Sequence, residues 1–159
     1  MVTHVNIFFE GDGTLRSGFR IFLASIFDLA WARRIDINLV NGNSISETVR
    51  DFVRSVRTDD DDGHNILLVD SDRPVSSTSS MCEEIRRGST WDRAVTVDDR
   101  QIHFMVQVME SWFLADRDAL AVYYGRSLRA NRFPQNLNVE QIPKADVENG
   151  LRAATRETG

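Results

Sequence analysis

The chain has one cysteine, one lysine and no long apolar segment. With Cys82 alone, neither an internal disulfide nor a cysteine-based zinc site can form within one chain. No stretch approaches the roughly 20 apolar residues of a membrane-spanning helix, and the first residues lack the basic, apolar and small-residue pattern of a secretion signal. We therefore expect a cytoplasmic protein.

The charge balance excludes a bulk polycation. The net charge is -5, so any contact with nucleic acid must come from a local basic patch. Lys144 is the single lysine among 19 basic residues, and the remaining ones are arginines. Guanidinium groups suit phosphate because they bind it in a bidentate fork. Genomic base composition is the simpler explanation of the arginine excess.

The length and the order of elements predict one α/β domain over residues 1–159. Alternating and apolar runs predict strands, and apolar residues at helical spacing predict the helices between them. The predicted order is strand 2–9, helix Leu15–Arg34, strand Ile35–Val40, helix Ser44–Arg57 and strand His64–Val69. A β-α-β-α-β order implies a parallel sheet with right-handed crossovers.

The second half of the chain has fewer regular signals. Residues 71–100 are expected to be irregular, and the four aspartates at 59–62 read as a solvated turn. Further on we expect strand Ile102–Val106, a helix over Glu110–Tyr124 that breaks near Ala115-Asp116, a loop-rich segment 125–142 and helix Lys144–Thr155. Pro143 just before the last helix fits the preference of proline for helix starts.

Acidic residues follow two of the predicted strands. Glu10 closes the first strand, and Asp70 and Asp72 close the third. Carboxyl ends of parallel strands meet at the ligand-binding edge of the sheet, and carboxylate oxygens are ligands that Mg²⁺ prefers. Asp70 and Asp72 would share a side if the strand continues through them. The alternative of equal weight is that these aspartates cap helices and turns before Pro74.

Other candidates carry weaker signals. The turn Gly11–Gly13 has glycines that could cradle a phosphate at the next helix N-terminus, although it lacks a Walker sequence. Glu110 and Asp116 lie six apart, which is not one helical face, so Glu110 could face the strand ends while Asp116 caps a second helix. The pair Trp112-Phe113 is expected in the core rather than as a platform for stacking bases.

Several segments carry a resemblance to a known fold. The order strand-Glu10-Gly11 followed by strand-Asp70-x-Asp72 resembles the topoisomerase–primase (TOPRIM) signature. The remaining segments resemble a family of uncharacterised bacterial TOPRIM-like proteins, related to nucleases of the overcoming-lysogenization-defect kind. They are Leu68–Val75, Trp91-Asp92, Phe104–Asp116, Asn138–Glu140 and Ile142–Lys144.

The resemblance implies a fold and a chemistry. The fold is an α/β, TOPRIM-like three-layer sandwich with a mainly parallel central sheet and helices on both faces, shorter at its C-terminus than its relatives. The activity is a Mg²⁺- or Mn²⁺-dependent nuclease, with Glu10 as acid/base or metal ligand and Asp70 and Asp72 holding the metal. Further acidic residues match Glu110 and Asp116, and a late catalytic lysine matches Lys144.

The resemblance also implies partners. Genes of such proteins often neighbour SMC-like or AAA-type ATPases in phage-defence loci, and the substrate would be nucleic acid. The alternative is a catalytically inactive TOPRIM-like interaction subunit. It would dock to an ATPase or self-associate through the apolar helices at 15–34 and 108–124.

Overall fold

The computed structural model describes residues 2–58, 63–75, 80–88 and 95–156. The aspartate run at 59–62, residues 76–79 of the Ser/Thr run, the Trp91-Asp92 pair and the last three residues lie outside these ranges. The strands are β1 (His4–Glu10), β2 (Asp36–Gly42), β3 (Gly63–Asp70) and β4 (Ile102–Met105). The helices are α1 (Gly13–Phe22), α2 (Ala24–Ala32), α3 (Ile45–Thr58), α4 (Met81–Gly88), α5 (Ser111–Ala115), α6 (Arg117–Tyr124) and α7 (Lys144–Thr155).

The four strands form an all-parallel sheet in the order β2-β1-β3-β4. Helices cover both faces, as adjacent residues of β1 show. The ring of Phe8 meets Phe52 of α3 edge-on at 5.8 Å, and the ring of Phe9 meets Phe19 of α1 at 5.0 Å. Successive residues of a strand point to opposite faces, so α3 and α1 lie on opposite sides of the sheet. The predicted α/β fold with a parallel sheet is confirmed.

The α3 side of the sheet contains a chain of polar side chains that crosses three strands. Asn38 and Asn65 each lie opposite Asn6 in the parallel register. Asn38 donates to Asn6 (3.3 Å), Asn6 donates to Asn65 (3.0 Å), and the hydroxyl of Ser55 on α3 also donates to Asn65 (3.0 Å). These bonds satisfy the side-chain oxygen of Asn65, which is fully buried and would otherwise lack hydrogen-bond donors in this network.

The chain divides into two compact units. In the described part of the chain the first comprises residues 2–69 and 80–103, and the second comprises 70–75 and 104–156. The core of the second unit is built from Val108, Leu114, Phe133, Ile142, Val147 and Ala154. No helix in the described ranges is long and apolar enough to span a membrane.

The predicted helix over Leu15–Arg34 is two helices, α1 and α2. Leu23 leaves the helical conformation (φ -93°, ψ 14°) between them. The interruption is one residue long, and the Phe27 amide still donates to the Leu23 carbonyl. The apolar spacing therefore runs on across the break, and no proline or glycine marks the break in the sequence.

Residues 71–100 are less irregular than expected because they contain α4. Asp99, in a short 3-10 turn, accepts hydrogen bonds from the Ser80 hydroxyl (2.9 Å) and the Cys82 amide (3.0 Å) at the start of this helix. The acceptor thus comes from 17 residues further along the chain, which local sequence signals cannot show. The start of α3 is capped locally, since the Glu47 amide donates to the Ser44 hydroxyl while the Glu47 carboxylate accepts from the Asn43 amide.

We expect Gly42→Ala to destabilise the protein and Gly18→Ala to stabilise it. An alanine Cβ at position 42 would lie 2.9 Å from the Thr48 amide nitrogen, whereas position 18 in exposed α1 has open space. Overpacking costs about 1–3 kcal/mol, and replacing a mid-helix glycine by alanine gains about 0.5–1 kcal/mol. Urea unfolding midpoints of the two variants should move in opposite directions, and equal midpoints would contradict this account of β2 and α3.

Candidate active site

The chain leaves β3 at Asp70 through a turn that is held by backbone hydrogen bonds. The Ser71 amide donates to the Met105 carbonyl (3.4 Å), and the Asp72 amide donates to the Gln107 carbonyl (2.9 Å). Asp72 has a left-handed backbone with φ 56°. The condition under which Asp70 and Asp72 would share one side of a strand is therefore not met, because the strand ends at Asp70.

Asp70 is a partly buried carboxylate in an acidic environment. The Met109 amide donates to its Oδ1 at 3.0 Å. Burial raises the pKa of Asp70 to about 6, and the negative charges of Glu110 and Asp72 contribute to this increase. The Met109 hydrogen bond and the charge of Lys144 act in the opposite direction. Asp70 therefore titrates close to neutral pH, as groups in functional sites often do.

Lys144 lies against Asp72. Its Nζ is 2.6 Å from the Asp72 Oδ1, although the two residues are 72 positions apart in sequence. The hydrogen bond to Asp72 raises the pKa of Lys144, and the charges of Asp72, Asp70 and Glu148 add to this shift. Both side chains are substantially exposed, and such pairs contribute about 1 kcal/mol or less to stability. The pair matters instead because it positions an ammonium group beside two carboxylates.

Gln107 connects the Asp72 turn to the segment that precedes α7. Its carbonyl accepts from the Asp72 amide, and its side-chain Nε2 donates to the Glu140 carbonyl at 3.4 Å. Only 4% of Gln107 is exposed, which is unusual for a glutamine. Reasoning from the sequence missed Gln107, because it lies between two valines after β4 and no motif distinguishes it.

Of the two additional acidic candidates, only Glu110 is coupled to Asp70. Glu110 precedes α5, and its charge contributes to the raised pKa of Asp70. That Glu110 faces the strand ends stays a prediction. The Asp116 Oδ1 instead accepts from the Ala119 amide at 2.9 Å and caps α6, which confirms the capping alternative and the break between the two helices.

The expectation that Trp112-Phe113 is core is wrong for Phe113, which is 45% exposed.

Glu10 belongs to the first unit, unlike Asp70, Asp72, Glu110 and Lys144, which all belong to the second. It is the last residue of β1, as predicted, and pairs in register with Gly42 of β2. Its assignment as acid/base or metal ligand stays a prediction.

The turn at Gly11 and Gly13 already holds an anion of its own. The Asp12 Oδ1 accepts from the Thr14 amide (2.9 Å) and the Leu15 amide (3.0 Å) at the start of α1. These are the donors that a phosphate at this helix N-terminus would use. A phosphate would have to displace the Asp12 carboxylate, so we assign this turn to helix capping and give Gly11 and Gly13 no phosphate role.

The second unit offers a partial set of metal ligands. Within 2–58, 63–75, 80–88 and 95–156, no three His, Cys, Asp or Glu side chains are grouped as a metal site. Mg²⁺, however, is commonly held by one or two carboxylates, with water and substrate phosphate completing its shell. Asp70 and Asp72 supply hard oxygen donors, and a cation would relieve the repulsion that helps to raise the pKa of Asp70. These residues fit Mg²⁺ in that mode and not in an all-protein cage.

An open groove of mixed polar and apolar lining lies beside α7. Its volume is about 550 Å³, and Asp146, Asn149, Gly150 and Ala153 line it from one face of the helix. Arg132, Gln141 and the segment Pro134–Asn136 line the other side. The helix and this segment approach closely, since a Cβ at Gly150 would lie 2.7 Å from a Pro134 ring carbon. Asp146, the first residue of α7 that lines the groove, lies about 200° around the helix from Lys144.

We expect Asp70 to make a contribution to stability that is lost as the pH rises from about 4 to about 6, and we expect the Asp70→Asn variant to lack this contribution. The pKa of Asp70 is about 6 in the fold and 3.8 as its ordinary value, so folding favours the protonated form. This contribution is complete below the ordinary pKa and is lost above about pH 6. The asparagine amide of the variant would still offer an oxygen to the Met109 amide.

Urea unfolding at about pH 4 and about pH 7.5 measures this difference. The gain in stability from Asp70→Asn should be larger at the higher pH. Asp118→Asn, an exposed change in the first turn of α6, is the matched control and should leave the pH profile unchanged. Parallel profiles for the wild type and Asp70→Asn would contradict the burial argument.

Comparison with known proteins gives a family for most of the chain. A family model described as a domain of unknown function (DUF4276) matches residues 17–159. The matched residues include Asp70, Asp72, Glu110 and Lys144, whereas Glu10 precedes them. No curated protein and no solved structure matches the chain. Because the match extends over well more than half of its length, the chain belongs to the DUF4276 family.

Proposed function

We propose that this protein is a metal-dependent phosphodiester hydrolase that acts on nucleic acid. The observation that supports this most is the grouping of Asp70, Asp72 and Lys144 at the carboxyl end of β3, with Lys144 2.6 Å from Asp72. The grouping joins residues that are far apart in sequence. It places two carboxylates, which can bind a metal ion, beside an ammonium group, which can bind phosphate. The TOPRIM-like resemblance assigns the same three residues to that chemistry.

Asp70 and Asp72 are the residues that would hold Mg²⁺ or Mn²⁺. When bound, such a metal polarises the scissile phosphate and lowers the pKa of water. The carboxylates must be ionised to serve as ligands, and Asp70 is protonated below about pH 6. Metal affinity should therefore fall as the pH decreases through this range.

Lys144 would contact the phosphate itself. Lys144 is the first residue of α7, and its ammonium has three donors. The hydrogen bond to Asp72 fixes the position of that ammonium. A lysine stabilises charge that develops on a phosphate or leaving oxygen as a point charge. The general base is assigned to Glu10 by the resemblance alone, and Glu110 is the alternative that its charge coupling to Asp70 supports.

The first test of this function is cleavage by matched variants. Asp70→Asn and Lys144→Gln should each lower Mn²⁺-dependent cleavage of DNA or RNA by about 10²-fold or more, since each removes charge at the reacting phosphate. Asp118→Asn changes an exposed aspartate of α6 outside the site and should retain full activity. The assay should include single- and double-stranded substrates. Unchanged cleavage by Asp70→Asn would overturn the proposed site.

The alternative function is an inactive interaction subunit, in which the Lys144–Asp72 pair only holds the turn after β3. Lys144 already supplies a positive charge to the two carboxylates, which favours this alternative. Thermal unfolding with Mn²⁺ separates the two functions without any substrate. A metal site should raise the melting temperature of the wild type and not of an Asp70→Asn, Asp72→Asn double variant. The same small shift in both proteins would favour the subunit.

The groove beside α7 would receive a base at some distance from the scissile phosphate, because Asp146, Asn149 and Ala153 lie on the side of the helix opposite Lys144. Gln141 and Asn149 present amide groups there, and amides match the donor and acceptor edges of bases. We expect Asn149→Ala to raise KM for an oligonucleotide several-fold while leaving hydrolysis of bis(p-nitrophenyl) phosphate, which has no bases, unchanged. Equal losses on both substrates would indicate damage to the site instead of lost substrate contact.

A role in phage defence and a partner ATPase of the SMC-like or AAA type extend this proposal on the resemblance alone. Co-purification of the chain with an ATPase encoded beside it would test that partnership.

A further inference from the structure

The wall of the groove beside α7 is held in place by Arg117. Its Nη2 donates to the carbonyls of Pro134 (2.7 Å) and Asn136 (3.2 Å), and its guanidinium carbon lies 5.8 Å from the centre of the Phe133 ring. The same segment packs closely against Gly150 of α7. Because these contacts already order the wall, little conformational entropy is lost when a ligand enters the groove.

The groove presents a carboxylate and an amide side by side. Asp146 and Asn149 line it from α7 and are three residues apart, a spacing that makes side chains neighbours on a helix. Both are exposed, and within the part of the chain that the structure describes neither side chain forms a hydrogen bond or an ion pair. Pro134, Ile142 and Pro143 add apolar surface to the lining. The groove therefore combines polar groups suited to the edge of a flat ring with apolar groups suited to its faces.

This combination matches one nucleic-acid base better than the others. The Watson–Crick edge of guanine has two adjacent N–H donors, at N1 and N2, beside the acceptor O6, and the two oxygens of a carboxylate can accept from both donors. Adenine and cytosine offer one amino group beside an acceptor nitrogen, and uracil and thymine offer one N–H between two carbonyls. Each of these would place an acceptor against the carboxylate. A phosphate would be repelled by the same charge.

We propose that the groove beside α7 binds guanine through its Watson–Crick edge, with Asp146 accepting from N1 and N2 and Asn149 donating to O6. This assignment rests on the proposed function, since it takes nucleic acid as the ligand. A guanine held in this way cannot pair with cytosine, because base pairing uses the same three groups. The guanine that enters the groove is therefore unpaired.

The position of the groove on α7 also favours a single strand. Asp146 lies about 200° around the helix from Lys144, and a helix with its side chains is about 10–12 Å wide. A strand that contacts both residues must curve around α7. Duplex DNA has a persistence length of about 150 base pairs and resists such a curve. The substrate is therefore single-stranded from the guanine to the scissile phosphate.

Binding in the presence of EDTA tests the groove without metal and without cleavage. Fluorescence anisotropy would compare short labelled oligothymidines that carry one central guanine, hypoxanthine or adenine. The wild type should bind the guanine strand about tenfold more tightly than the adenine strand, because a bidentate contact to a base gives discrimination of that order. Hypoxanthine lacks the N2 amino group, so its strand should bind with intermediate affinity. Equal affinities for the three strands, or no binding of any of them, would overturn the proposal.

A substitution in the groove shows which side chain gives the preference. Asp146→Asn keeps the size of the side chain and replaces the carboxylate by an amide, so the preference for guanine over adenine should disappear. Asp118→Asn, in the exposed first turn of α6, is the matched control and should keep this preference. An unchanged preference in Asp146→Asn contradicts the role of that carboxylate. Annealing the guanine strand to its complement should weaken binding, and equal affinity for the duplex contradicts an unpaired guanine.

Failure of the groove and failure of the hydrolase give different results. A preference for guanine without cleavage of any nucleic acid would overturn the hydrolase and leave the guanine site in place. Hydrolysis of bis(p-nitrophenyl) phosphate by a wild type that shows no preference for guanine would overturn the guanine site alone.

Discussion

The arrangement of the candidate site depends on how the chain is held where it leaves β3. Ser71 and Asp72 donate their amides to carbonyls of Met105 and Gln107, and Met109 returns an amide to the carboxylate of Asp70. These three bonds fix a turn of an unusual backbone conformation against a segment more than 30 residues later. Because Gln107 also reaches the segment before α7, the same connection sets the distance between Asp72 and Lys144.

This construction explains why the site is electrostatically unbalanced. The turn places Asp70 and Asp72 near Glu110, and a single ammonium opposes them. Partial burial makes the charge on Asp70 costly, so one proton remains bound until the pH approaches neutrality. A protein that only needed a stable turn would be better served by an asparagine at this position, which keeps the Met109 bond without the charge. The carboxylate of Asp70 therefore suggests a role that an uncharged side chain could not fill.

The sequence predicted the parts of this molecule that depend on local periodicity. The strands β1 and β3, the bounds of α7 and the break at Asp116 were all visible in apolar spacing and capping residues. What it could not show depends on contacts across long separations. The Cys82 amide at the start of α4 donates to Asp99, and the Asp72 amide donates to the Gln107 carbonyl. Lys144 contacts Asp72 only in the folded second unit. For the same reason spacing left open whether the strand continues through Asp70 and Asp72, and the structure ends it at Asp70.

The pairing of Lys144 with Asp72 has a consequence for the chemical reactivity of the whole chain. Lys144 carries the only side-chain amine, since every other basic side chain apart from the histidines is an arginine. Lys144 is therefore the one lysine side chain that acetylation, ubiquitin transfer or a synthetic acylating reagent could modify. The hydrogen bond to Asp72 raises the pKa of the amine, so it further lowers the small fraction that is unprotonated and nucleophilic. Any change that breaks the bond to Asp72 would therefore raise the reactivity of the amine. The rate of Lys144 labelling would then report whether this bond is intact.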